Sequence, residues 1–303
     1  MYVYIVEYQI FKLITCFTWG LKKLKYFSRY CVKYSSRTMD MNITKPEGGA
    51  AAHPTTTSLK TEDTGKIFEK AICDAYGIPY DGPFQYSQAE VDKLTPRLKR
   101  IVTDNLFPMC AHTASKGARY DFTAVADFGL HLSAKSNKKK GGKIAPQVVG
   151  QATPQKFWEE YVQFSGGAGA AAVPGAATDP TDPATLKKYI QENIAAIMPM
   201  LWRYTFDSPI VYYVRDTDQI RFIASGGEEP DWSAFQYTWS RSYDKWTNST
   251  SLRVVAPGGG DGGGDTTIME FQFHTKSRQN MAVRWAIDKV LQVFAGHFTV
   301  VSL

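Results

Sequence analysis

Between Ala118 and Gln151 the chain reads ARYDFTAVADFGLHLSAKSNKKKGGKIAPQVVGQ, and this segment concentrates the residue types that could do chemistry. YDFTAVADF and LHLSAKS flank Gly129 and alternate with a period near two, which predicts a β-hairpin. Asp121 stands at the start of the first strand. On the second strand Ser133 and Lys135 fall on one face, because residues two apart in a strand share a side. A carboxylate at one strand end beside a lysine on the next strand is the pairing that metal-assisted phosphodiester hydrolysis needs. The carboxylate holds Mg²⁺, a hard cation that takes oxygen ligands. The metal polarises the phosphoryl oxygen and acidifies a bound water, while the ammonium orients that water or stabilises charge in the transition state. Asn137, Lys138 and Lys143 in the following Lys/Gly turn, with the amides of Gln147 and Gln151 after it, are candidates to touch phosphates of a nucleic acid. The same letters also describe a solvated loop after an ordinary hairpin.

Asp121 followed by the Ser133-Ala134-Lys135 triplet resembles the PD-(D/E)XK nuclease core, and KSNKKKGGKIAPQVVGQ is similar to what several type II restriction endonucleases carry after their catalytic lysine. The resemblance runs over roughly residues 60–165. It implies a Mg²⁺-dependent hydrolase that cuts double-stranded DNA in line and leaves a 5′-phosphate. Asp121 is then a metal ligand, Lys135 the group that orients water and stabilises charge, and Ser133 the residue at the normally acidic position. Two departures matter: Tyr120 stands where the pattern has proline, and Ser133 where it has an acid, so another carboxylate or a water must complete the metal shell. Asp127 on the same hairpin and Glu69 on the helix GKIFEKAICDAYG are the candidates, since helices before the hairpin in this superfamily often bring a glutamate to the metal. The resemblance further implies a homodimer reading a palindromic site and a cognate DNA methyltransferase protecting that site.

A second constellation lies in IMEFQFHTKSRQNMAVRW. Strand alternation puts Met269, Phe271 and Phe273 on one face and Glu270, Gln272 and His274 on the other, with Arg278, Gln279, Asn280 and Arg284 next in the chain. Arginine to guanine, and asparagine or glutamine to adenine, are the pairings favoured at major-groove base edges, so this is a candidate base-reading element. Its alternative is an ordinary sheet face turned to solvent. Glu270-Phe271-Gln272 with Asp265 upstream is a rival triplet, but it lacks a lysine. Trp232, Trp239 and Trp246 could stack on bases, although in a β-rich half such residues more commonly fill a core. The five histidines show no HExxH grouping and no GxxxxGK[ST] loop is present, which argues against a zinc protease and against ATP-driven movement.

The elements that must position these residues follow from periodicity. A helix after residue 60, capped by Thr61 or Thr64, carries Ile67, Phe68, Ala71, Ile72 and Ala75 and ends at Gly77. Ser87-x-x-Glu90 opens a second, kinked or split at Pro96. Thr153-Pro154 and Asp182-Pro183 open two more on either side of the loop SGGAGAAAVPGAATDPTDP. Short β patterns dominate from Ile210, broken by PGGGDGGGD, and a last helix is predicted to hold Met281, Trp285, Val290, Leu291 and Phe294 before a closing strand. The expected class is α/β (α+β): a mixed central sheet flanked by helices with a β-rich C-terminal half. The expected parts are an extension over 1–57, a catalytic core over 58–165, a loop over 166–183 and a DNA-recognition half over 184–303.

With 303 residues, 44% apolar and 21% charged, the chain can bury a substantial core and is neither collagen-like nor wholly disordered. Four scattered cysteines without CxxC spacing indicate neither a zinc site nor a disulfide framework, and read as a reduced, intracellular, soluble protein. The net charge of +6 invites an acidic partner, but residues 1–40 hold seven Lys/Arg against two acids and supply five of those units. That stretch, apolar and then basic, has the pattern of a signal anchor or interfacial helix, yet Glu7, Gln9 and Lys12 interrupt it. It reads as well as sequence upstream of Met39 or Met41 and is left out of the fold. The rival functional classes are a non-catalytic nucleic-acid-binding or structural protein, and a membrane-anchored one.

Overall fold

The computed structural model describes residues 61–114, 118–166, 182–255, 265–274 and 280–303, all within one compact unit running from Thr57 to Leu303. The expectations placed on residues 1–57, on the Gly/Ala/Pro loop over 167–181, and on Arg278 and Gln279 lie outside the described residues.

Local chemistry sets the helix ends. Helix α1, Thr61–Tyr76, begins at Thr61, so Thr64 lies within it. It stops at Gly77, whose φ of 65° suits a residue without a Cβ. There Ile78 N–H reaches Cys73 O and Gly77 N–H reaches Asp74 O, closing the helix with paired bonds to its last carbonyls. Ser87 Oγ accepts from Glu90 N–H at the start of α2, Gln88–Leu98. Pro96 sits inside α2, and the chain breaks at Lys99 before a further turn, α3, Arg100–Thr103. Thr153 caps α4, Pro154–Phe164, and Asp182 caps α5, Pro183–Glu192. Asn193 then separates α5 from α6, Ile194–Phe206, where a single helix is predicted.

Six strands form a mixed sheet among the described residues, in the order β1-β2-β3-β5-β6-β11. They are β1 Cys110–His112, β2 Phe122–Ala124, β3 His131–Asn137, β5 Ile210–Val214, β6 Gln219–Ser225 and β11 Phe298–Ser302. β3 and β5 run parallel, with Ser133 beside Ile210, and the other pairs are antiparallel. A second, antiparallel sheet has the order β4-β10-β9-β8-β7. Its strands are β4 Lys143–Ile144, β7 Gln236–Trp239, β8 Ser249–Val255, β9 Thr266–His274 and β10 Asn280–Ala286. The fold is thus mixed α/β with a β-rich C-terminal half, as predicted.

Alternation divides the mixed sheet between two cores. Leu132, Val211, Tyr213, Ile220 and Phe222 pack with Phe68, Ile72, Leu94 and Leu98 of α1 and α2. Ile210, Tyr212, Val214 and Ile223 point the other way, into a larger core shared with α4 to α6 and the second sheet. Trp232 and Trp246 are buried there and Trp239 packs against them, so these aromatics serve the core. No helix among the described residues is long and apolar enough to cross a membrane.

One predicted element is corrected. Met281 and Trp285 belong to strand β10, and only Ile287–Val293, α7, is helical. NMAVRWA satisfies both periods, and the strand wins because Met281, Val283 and Trp285 then all bury, the backbone pairs with β9 along its length, and Met281 and Val283 N–H reach Ala152 O and Gly150 O on the other side. Trp285 also places its indole N–H 2.8 Å from Thr205 Oγ1 on α6, inside the core. Trp285→Ala should cost about 3–5 kcal/mol in a urea titration, the range for removing a buried aromatic. A loss under about 1 kcal/mol would contradict this packing.

Candidate active site

Asp121 immediately precedes β2, and its carboxylate spans the hairpin. Oδ2 accepts from Ala134 N–H at 2.7 Å and lies 3.4 Å from the Lys135 ammonium. The register that sets Phe122 opposite Leu132 brings Asp121 alongside Ser133. Ser133 and Lys135 share the face of β3 that carries, on β5, Ile210 and Tyr212. Ser133 is fully buried, its N–H donates to Pro209 O, and its Oγ accepts from Gln147 Nε2. Asp121, Ser133, Lys135 and Gln147 therefore form one constellation, with Lys135 and Asp121 still partly open to solvent.

Glu69 and Asp127 stand apart from it. Asp127 is exposed on the hairpin turn, where Oδ1 accepts from Gly129 N–H. Glu69 is buried on α1 beneath the opposite face of β2, with Oε2 2.9 Å from Lys66 Nζ and 3.6 Å from His112 Nε2. His112 stacks on Tyr80 and leans on Phe122, and its Nδ1 accepts from Asp81 N–H, which assigns the ring proton to Nε2, facing Glu69. Burial pushes the Glu69 carboxyl up, but His112 and Lys66 outweigh it and hold the group below the ordinary carboxyl range. Burial likewise opposes the Lys66 charge, and Glu69 prevails with smaller contributions from Tyr80 and Asp121, so its pKa is raised. Among the described residues no three His, Cys, Asp or Glu side chains gather as a cation site.

Tyr120, standing in proline's place, has a partner of its own. Its hydroxyl donates to Asp207 Oδ2 at 2.6 Å, its ring stacks on His131 at 4.0 Å, and Arg119 reaches the same Asp207 oxygen at 2.5 Å. Arg119 also lies over the rings of Tyr120 and Tyr204, and Tyr204 donates to Glu160. Burial and the Asp207 bond push the Tyr120 phenol far above its usual pKa, so it remains a donor. This scaffold fixes the backbone just before Asp121. Arg119 and Tyr120 adjoin Asp121 in the sequence, but Asp207 lies at the end of α6 and nothing in the local pattern points to it. His112 was equally hidden, on a three-residue strand.

The Lys/Gly turn is pinned from below. Asn137 donates to Tyr212 Oη at 2.9 Å, Lys140 N–H reaches Asp216, and Gly141 N–H reaches Asp288. The Asn137 amide is therefore engaged within the fold, whereas Lys138 is half-buried and Lys143 and Gln151 are exposed. Lys143, on β4, lies 2.9 Å from Glu270 Oε2 on the second sheet. There Glu270, Gln272 and His274 share the half-buried face of β9, with Arg284 opposite Glu270 and Asn280 opposite His274 on β10. The polar row predicted from one strand spans two.

The chain has a curated relative. It is similar to Type II restriction enzyme CviAII of Paramecium bursaria Chlorella virus 1, 34% identical over 246 residues, which make up 81% of this chain. The chain spans 64% of that relative's length. No family model matches the chain, and no solved structure matches it.

Glu69 gives a pH test. With its folded pKa below the ordinary value of 4.5, the stability its ionisation contributes is complete above that value and is lost as pH falls through the folded pKa. Denaturant midpoints of the wild type and Glu69→Gln should differ most near pH ~7 and converge toward pH ~3. A gap that widens on acidification would contradict the pairing.

Proposed function

We propose that this chain is a site-specific endodeoxyribonuclease of the type II restriction class, built on the PD-(D/E)XK plan, dependent on Mg²⁺ and active as a homodimer on double-stranded DNA. The observation that carries the reading is the Asp121 carboxylate 3.4 Å from the Lys135 ammonium across a hairpin, in a chain similar to an enzyme of that name. The donor set suits a cation that uses one or two carboxylates and fills its remaining positions with waters and substrate phosphates. Asp121, whose Oδ1 is not tied to Ala134 or Lys135, would hold it. Bound there, the metal supplies Lewis acidity toward the phosphoryl oxygen and an acidified water.

The chain's own residues do the rest. Ala134 N–H fixes the Asp121 carboxylate through Oδ2, so its other oxygen is oriented before any ligand arrives. Lys135 holds a positive charge at the same carboxylate, where it can orient a water and stabilise charge building on the phosphate. Lys138 and Gln151 would contact the DNA backbone, and Lys143 would do so on leaving Glu270. Gln272, His274, Asn280 and Arg284 form the base-reading face, and a cognate methyltransferase would protect the same sequence.

Incubation with plasmid DNA and Mg²⁺ should give discrete fragments. Asp121→Ala and Lys135→Ala should each lower the rate by about two orders of magnitude or more, comparable with loss of one transition-state donor, and chelation of the metal should stop cleavage. DNA binding without cleavage by the wild type would favour a non-catalytic binding protein, a reading to which Ser133 in the acidic position lends support. Cleavage retained by both variants would refute the site.

A further inference from the structure

The loop that carries Gln147 holds an uncommon backbone. Val148 has φ of 63°, and Val149 N–H reaches back to Gln147 O at 2.6 Å, closing a three-residue turn of the strained, positive-φ kind. A β-branched residue rarely adopts that conformation. Burial does not compensate, because the Val148 side chain is 44% exposed. The surroundings enforce the turn instead. Gln147 N–H donates to Tyr204 O at 2.7 Å, Gly150 N–H to Pro146 O at 3.1 Å, and Val283 N–H on β10 to Gly150 O at 3.0 Å. Gly150 is obligatory, since a Cβ there would stand 2.2 Å from Pro146 O.

What the strained turn achieves is to bring the Gln147 amide against Ser133, at the position where the family pattern has an acid. Its Nε2 donates to Ser133 Oγ, and its Oε1 accepts from no described residue. Asp121 lies alongside Ser133 on the neighbouring strand. Resting on the nuclease reading above, we propose that Gln147 supplies through Oε1 the second protein oxygen for the divalent cation at Asp121, replacing the acid that Ser133 lacks. A neutral amide at this point makes the site one negative charge poorer than its carboxylate counterpart, and the Ser133 bond holds the amide with its oxygen free.

Mn²⁺ binding to the full chain, followed by the loss of the free-ion electron paramagnetic resonance signal, separates the possibilities without reference to activity. Asp121→Asn should weaken binding, and Gln147→Ala should weaken it by about tenfold or more. Gln147→Asn, which keeps the amide but withdraws it by one methylene, guards against misfolding of the alanine variant and should weaken binding likewise. Gln147→Glu should tighten binding and make it weaken on acidification. If Asp121→Asn weakens binding while Gln147→Ala and Gln147→Asn bind as the wild type does, the inference is overturned and the nuclease reading survives. Unchanged binding in Asp121→Asn would overturn both.

Discussion

One carboxylate organises the hairpin. Asp121 sits before β2 and accepts the backbone N–H of Ala134, so it ties two strands together with the same group that faces Lys135. A charged acceptor makes a stronger hydrogen bond than a neutral one, and here it also fixes where the negative charge points. Register matters for the same reason. A slip of one residue along β3 would carry Ser133 and Lys135 to the α1 side and bring Leu132 and Ala134 into their place.

Around that point the fold supplies two kinds of support. On one side Lys66 and Glu69 of α1 meet His112 of β1 in a cluster that keeps the Glu69 carboxylate paired within the fold, apart from the Asp121 constellation. On the other, the end of α6 and the residues just after it anchor three segments of the site: Asp207 holds Arg119 and Tyr120, Pro209 O accepts from Ser133 N–H, and Tyr204 O accepts from Gln147 N–H. Proline before the aspartate would fix its backbone locally by restricting φ. Tyr120 reaches a similar end through a distant contact.

Much of this was legible in the chain and some was not, for physical reasons. Caps at Ser87, Thr153 and Asp182 and the stop at Gly77 are local chemistry, and they appear where the letters place them. The shared face of Ser133 and Lys135 follows from strand geometry alone. Met281 and Trp285 of the strand Asn280–Ala286 fit a helical period as well as a strand's, and only the neighbouring β9 decides between them. Three-residue β1 is too short to carry a pattern that would single out His112. Asp207 takes its meaning from a contact 87 residues away, which no local window contains, and the meeting of Gln147 with Ser133 depends on the fold of the loop between them.

The aspartates beneath the lysine-rich turn bear on how this basic segment would meet a polyanion. Asp216 and Asp288 hold backbone N–H groups of Lys140 and Gly141 while leaving the lysine side chains outward. Ordering of the loop backbone is thereby completed during folding, and an approaching phosphate chain meets a preorganised base instead of a segment that must be immobilised on contact. The two carboxylates also offset part of the local positive field, so a contact made by this turn would register a polyanion's backbone more than draw one in from a distance.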